Sequence, residues 1–490
     1  MRRNINLRNS KRPARLGTTL LTFVLILSAA GCGGGAPDVS PTATLAASQG
    51  TSVVPTRESG PPDAPGTSTG TLDSTFGDGG RVITDLNGKS DEVQAVVVQP
   101  DGKIVAAGTS WVFPQDRPRV ALARYNADGT LDKSFGDSGF IITGMTDDEW
   151  DYSVPHALAL QPDGKLLVAG TSYSNDDGRN VFAVARFYAD GTLDEDFGSG
   201  GRTLTAIDTS EDAGNDEAHA IALAGDGTIV LAGVTGGFPT DFAAARYLPD
   251  GTLDTSFGDG GTVITDLGGT DQASAVAIQE DGKIVVAGRG VNNDDDWAML
   301  RYLPDGSLDE AFGNEGKVSA DFGGGEDWAT AVAVRRDGRI VVGGVNYVGV
   351  VICRDENGLT RGCDKFGFAV VQYNADGVVD ESFGEGGEGL YEFEATSGAS
   401  ALVLQPDGKV VLAGHYDYDD FAVVRTNADG TLDSSFGTDG MVRTPFGLSM
   451  DVAYAVALQP DGKIVAAGTG TVDEENGLNS DFALTRYNAK

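Results

Sequence analysis

The sequence predicts an all-β fold, a seven-bladed β-propeller of four-stranded antiparallel blades, and three repeated phrases carry that prediction. The first is L-D-x-x-F-G, which returns with Phe76, Phe135, Phe197, Phe257, Phe312, Phe383 and Phe436. The second is a turn such as Gln99-Pro100-Asp101-Gly102-Lys103, present once between successive phenylalanines and again after the last. The third is a strand-like phrase such as Ala121-Leu122-Ala123-Arg124-Tyr125. A unit of this size repeated seven times, each with four short apolar runs, is propeller arithmetic.

Each element follows from its residues. The runs Ala95–Val98, Ile104–Ala107 and Val120–Tyr125 are strands by composition, and Pro-Asp-Gly or Ala-Asp-Gly separates them. Glycine supplies the positive φ of such a turn and aspartate closes it. Ala95, Ala157, Ala220, Ala275, Ala331, Ala401 and Ala455 mark the innermost strands, where crowding near the axis favours a small side chain. The repeated phenylalanine is expected between blades. The lone strand Arg81–Asp85 is expected to complete the last blade, which closes the ring and removes an exposed sheet edge.

The phrases Q-P-D-G-K-I-V-x-A-G, A-x-x-R-Y-N-A-D-G-T-L-D and S-F-G-x-x-G resemble the bacterial delta-60 repeat family over residues 71–490. The resemblance implies a β-propeller and no assigned activity. Composition agrees: 70 glycines disfavour long helices, while 40% hydrophobic residues suffice for a core. A net charge of −37 repels phosphate backbones, so nucleic acid is not an expected partner.

Residues 1–31 read as an export signal. A basic stretch precedes the apolar run Leu20–Ala30, which is too short for a membrane span. Ser28-Ala29-Ala30-Gly31-Cys32 resembles a bacterial lipobox, which implies that Cys32 becomes the lipidated N-terminus, on the outer membrane or cell surface. Residues 32–70, rich in Gly, Pro, Ser and Thr, are a flexible tether of roughly 35 Å. Residues 71–490 form the propeller.

The blade arithmetic separates two faces. Connections between first and second strands, and between third and fourth, are nearly constant. Those on the opposite face vary in length and are acidic, at Asp147–Glu149, Asn175–Asp177, Asp294–Asp296, Asp417–Asp420 and Asp473–Glu475. Variable loops on a rigid scaffold are where binding resides, so this is the candidate functional face. Cys353 and Cys363, in its longest insertion, are expected to form a local disulfide.

Four residues before each inner-strand alanine stand Asp91, Ser153, Asp216, Asp271, Asp327, Ser397 and Asp451. The five aspartates are candidate ligands of a hard cation such as calcium, the one cofactor the sequence suggests. The competing reading is that each short polar side chain caps its own loop. One residue before the alanines stand Gln94, His156, His219, Ser274, Thr330, Ser400 and Tyr454, a polar ring at the channel mouth. Arg124, Arg186, Arg246, Arg301, Arg425 and Arg486, replaced once by Gln372, are expected to form blade-to-blade ion pairs with turn aspartates.

Motif matches such as Gly66-Thr67-Ser68-Thr69-Gly70 and Gly384–Gly389 lack the strand–helix context that gives them chemical meaning. No catalytic residue is assigned. The expected function is a lipid-anchored envelope module that binds a protein or glycan through its variable face. The alternatives are a calcium-dependent hydrolase at the channel mouth, with His156 and His219 as first suspects, and a purely structural envelope protein.

Overall fold

The computed structural model describes residues 70–489 apart from 88, 113–116, 147–151, 211–212, 238, 291–295, 323, 355–359, 448–449 and 475–476. The leader, Cys32 and the tether lie outside the described residues, as do Asp147–Glu149, Asp294, Asp295 and Glu475.

Alternating apolar runs and Gly-centred turns give twenty-eight strands among the described residues. A short strand, β1 (Arg81–Thr84), comes first. The first complete sheet then follows in order as β2 (Asp91–Val98), β3 (Ile104–Val112), β4 (Arg117–Tyr125) and β5 (Phe140–Thr143). The second is β6 (Ser153–Leu160), β7 (Leu166–Ser174), β8 (Arg179–Phe187) and β9 (Arg202–Thr205). The third is β10 (Glu217–Leu223), β11 (Ile229–Thr235), β12 (Asp241–Tyr247) and β13 (Thr262–Thr265). The fourth is β14 (Gln272–Ile278), β15 (Ile284–Gly290), β16 (Asp296–Tyr302) and β17 (Lys317–Ala320). The fifth is β18 (Trp328–Val334), β19 (Ile340–Arg354), β20 (Thr360–Tyr373) and β21 (Glu388–Tyr391). The sixth is β22 (Ser397–Leu404), β23 (Val410–Tyr416), β24 (Asp420–Thr426) and β25 (Met441–Thr444). The seventh joins β26 (Val452–Leu458), β27 (Ile464–Glu474) and β28 (Gly477–Tyr487) to β1.

Ring closure follows the sequence reading. β1 pairs antiparallel with β28, from Arg81↔Thr485 to Thr84↔Phe482. The chain ends also share a turn. Asn488 N donates to Thr71 O at 2.9 Å and Gly70 N to Asn488 O at 2.7 Å. The intact turn Asn126–Thr130 makes the same two bonds. The inner strands β2, β6, β10, β14, β18, β22 and β26 each touch the next around the ring.

The core lies between blades. All seven repeated phenylalanines are fully buried. Phe135, for example, packs with Val105 and Leu122 of one blade and Leu166 and Phe187 of the next. Burial of this kind contributes about 2–3 kcal/mol per aromatic ring.

The repeated arginines correct one expectation. Arg124 Nε donates to Asp132 Oδ2 at 2.8 Å, and Asp132 lies on the β4–β5 connection of the same blade. The ion pair is therefore internal. What crosses to the next blade is a guanidinium N–H donated to a carbonyl, from Arg124 to Ala189 and from Arg186 to Pro249 at 2.6 Å. The reason is reach: the aspartate lies on the connection directly beside the arginine, whereas the next blade presents a turn carbonyl. The guanidinium also covers the phenylalanine ring, 4.5 Å from Arg186 to the Phe197 centroid. Where Gln372 replaces the arginine, Arg335 takes its place. It donates to Gln372 Oε1 at 2.6 Å and to Gly408 O of the next blade at 2.8 Å.

Candidate functional site

The polar ring residues share a backbone feature that their varied side chains hide. Each inner strand carries one β-bulge, and the bulged residues are Gln94, His156, His219, Ser274, Thr330, Ser400 and Tyr454. A bulge leaves one residue unpaired and re-aims its side chain. Opposite every bulge stands the glycine of the repeated x-A-G phrase. At Gly233 an added Cβ would lie 1.9 Å from Glu217 O, and at Gly108 1.8 Å from Glu92 O. Only glycine admits that carbonyl.

The re-aimed side chains connect neighbouring inner strands. Thr330 Oγ1 donates to Ala399 O at 2.9 Å, and His219 Nδ1 lies 2.8 Å from Ala273 O, so that nitrogen carries the proton. Both acceptors directly precede the bulge of the following blade. His156 meets His219 edge to face with ring centroids 5.4 Å apart. Burial, then the neighbouring His219, holds His156 down to about 3, so it is neutral at physiological pH. Glu217 Oε2 stands 3.8 Å from His219 Nε2.

The aspartates at the starts of the inner strands are each engaged by the connection beside them. Asp91, Asp216, Asp271, Asp327 and Asp451 are fully buried, as are Ser153 and Ser397. Each aspartate caps the connection that enters its own blade. Leu86 N donates to Asp91 Oδ2 at 2.8 Å, Ile207 N to Asp216 at 2.8 Å, and Leu267 N to Asp271 at 2.6 Å. Phe322 N donates to Asp327 at 2.9 Å and Phe446 N to Asp451 at 3.0 Å. The donor is always two residues past the outer strand of the preceding blade. A strand-to-strand crossover leaves that amide without a ladder partner, and a short carboxylate reaches it.

Three of these aspartates also meet carboxylates that the sequence reading did not connect with them. Asp91 lies with Asp85 and Asp481, Asp271 with Asp241 and Asp266, and Asp327 with Asp296 and Asp321. In each set one oxygen per residue lies within 4.8 Å of the others. Burial, augmented by Asp85 and Glu92, pushes Asp91 up to about 6, and burial with Asp321 does the same to Asp327. The available signal was an acid directly after an outer strand, as in Thr84-Asp85 and Thr265-Asp266, matched by one that opens a third strand before an aromatic residue.

The variable face ranges from the short Tyr416–Asp420 hairpin to the β19–β20 ribbon. Val350, Val351 and Ile352 on that ribbon are exposed, Ile352 by 82%. Register sets Cys353 opposite Arg361 and Cys363 opposite Val351.

Fold and repeat together define a seven-bladed β-propeller repeat protein. The chain matches the family described as a domain of unknown function (DUF5122) beta-propeller over residues 99–135, 161–197, 224–257, 279–312, 405–436 and 459–489, which supports a β-propeller repeat family. The longest unmatched stretch between these segments, 313–404, contains Gln372 and the long ribbon. No curated protein matches the chain. Among solved structures it is similar to a protein of unknown function from Dyadobacter fermentans, at 12% identity and TM-score 0.36, covering 84% of this chain and 98% of that one. A catalytically inactive virginiamycin B lyase from Staphylococcus aureus with quinupristin gives 10%, 0.40, 83% and 98%. A polysaccharide lyase of family PL25, an ulvan lyase, gives 12%, 0.44, 83% and 95%. None of these likenesses bears on what this chain binds.

Proposed function

We propose that the protein is a lipid-anchored binding module of the bacterial cell envelope, tethered through Cys32 at the outer membrane or cell surface, that engages an envelope protein or glycan through its variable face. The observation that supports this reading is the contrast between the faces. On one, the Arg–Asp–Phe set and its turns recur with nearly the same bonds in six blades, and Gln372 with Arg335 stands in for the arginine in the fifth, so the side chains there are committed to structure. On the other, the same scaffold carries connections from a short hairpin to a ribbon of 15- and 14-residue strands. A disulfide between Cys353 and Cys363 would fasten that ribbon, and their diagonal positions in the backbone register suit one.

The contrast between the faces favours the binding reading over a hydrolase at the channel mouth, for which His219, with its Nδ1 proton held by Ala273 O and Nε2 left as acceptor, is the candidate base. The test is retention of detergent-solubilised envelope proteins and glycans on three immobilised chains. Retention is expected on the wild type and on Glu381→Gln, an exposed acid away from the variable face. It should be lost when residues 348–363 are replaced by a two-residue turn. Equal retention by all three overturns the proposal.

A further inference from the structure

Three carboxylates meet where the ring closes. Thr84 pairs with Phe482, and the next residues along, Asp85 and Asp481, approach each other beside Asp91 at the start of β2. Asp91 is fully buried. Its Oδ2 accepts the Leu86 amide and the Ser110 hydroxyl faces the carboxylate across the ladder, whereas Oδ1 itself has no donor in hydrogen-bonding geometry among the described residues. A buried carboxylate oxygen without a donor is costly, and two more carboxylates within reach add repulsion.

Other blades relieve the same position in other ways. At Asp216, Thr235 donates to Oδ1 at 2.5 Å and Arg179 lies 3.6 Å from Oδ2. At Asp451 both oxygens accept backbone amides, from Phe446 and Thr471. In that same sheet junction Asp420 is paired with Arg443. At Asp327 both oxygens likewise accept backbone amides, from Phe322 and Tyr347. Ser153 and Ser397 replace the acid outright in two more blades.

We infer that Asp85, Asp91 and Asp481 form a binding site for a hard divalent cation of the calcium type. The donor set is all oxygen. Calcium takes six to eight such ligands in flexible geometry, and water and backbone carbonyls complete the shell. Magnesium demands a tighter octahedron and dehydrates reluctantly, so it fits this set less well. The ion would join β28, the β1–β2 connection and β2, segments drawn from opposite ends of the chain. This site goes beyond the binding-module reading and stands whatever the variable face engages.

The test uses the full chain in detergent, stripped of metal and titrated calorimetrically with calcium chloride. The wild type should bind with a Kd on the order of 10⁻⁴–10⁻³ M, the range of extracellular calcium modules. Asp481→Asn and, separately, the more exposed Asp85→Asn should each lower the stoichiometry by one, and Glu381→Gln should leave it unchanged. Calcium should raise the Tm of Asp481→Asn less than that of the wild type, each measured against its own melt in chelator. Absence of heat overturns the inference. So do isotherms from both site variants that superimpose on the wild type, or an equal loss in Glu381→Gln, which marks diffuse attraction to an acidic surface.

Discussion

Arg486 and Asp73 stand 413 positions apart, yet Arg486 Nε donates to Asp73 Oδ2 at 2.8 Å, the bond that Arg124 makes to Asp132 only eight residues away. The pair therefore joins the two ends of the chain with the device that other blades use internally. Both residues are nearly fully buried. Arg486→Ala leaves Lys463 as the one cation beside Asp73 among the described residues, with Thr75 still donating to Oδ1, and should destabilise the protein by about 3 kcal/mol. Arg246→Ala, whose pair is more exposed, should cost less. Urea unfolding of the two variants checks the order.

The bulge glycines offer a steric test. Gly233→Ala sets a Cβ 1.9 Å from a backbone oxygen, so the bulge must flatten or the strands must part. A loss of about 3 kcal/mol or more is expected. Gly225→Ala, with open space at its Cβ, should stay within about 0.5 kcal/mol of the wild type. Melting temperatures of the two variants decide it.

The fifth blade predicts a rescue. Arg335→Ala removes the donor to both Gln372 and Gly408 and should cost about 2 kcal/mol. Gln372→Arg alone crowds a second guanidinium against Arg335 and should also destabilise. Together they restore the usual arginine beside Asp380, so the double variant should recover at least about 1 kcal/mol over the sum of the singles. Simple additivity would contradict the substitution of one arginine for the other.

Two groups of aspartates should pull stability in opposite directions with pH. At Asp194 burial acts upward, but Lys165, Tyr188 and Arg186 together hold the carboxyl down to about 2. Its contribution is present above the unfolded value near 4 and is lost as pH falls through about 2. Asp91 and Asp327 are raised to about 6. Their folded forms hold protons that the unfolded chain has released, so stability falls as pH rises from about 4 through 6, by on the order of 2–3 kcal/mol each. In chelator the Tm should decline between pH 5 and 7, and Asp91→Asn combined with Asp327→Asn should flatten the decline. An unchanged decline in that double variant would contradict this assignment.

The blades, their number and the closing strand are legible because each rests on a local phrase repeated seven times, and Phe76 and the Asp101-Gly102 pair read the same wherever they recur. The bulges are not. Gln94, His156 and Tyr454 share no chemistry, and the position is defined by backbone pairing with a glycine on another strand. Residue type alone leaves Asp216 and Asp451 open to loop capping or ion binding, and the capping bonds from Ile207 and Phe446 appear only in the geometry. The carboxylate set at the closure is hidden because Asp85 and Asp481 are far apart in sequence and meet only once the ring has closed. Arg335 was missed for a similar reason, since its partner Gln372 lies across a long ribbon.

The most direct measurement is a crystal structure of the chain grown in calcium, with anomalous data collected to identify the ion. Density is expected among Asp85, Asp91 and Asp481, with carboxylate oxygens at about 2.3–2.6 Å and Asp91 Oδ1 among the ligands. A site holding only water, with Asp91 Oδ1 hydrogen-bonded to a protein donor, would contradict it.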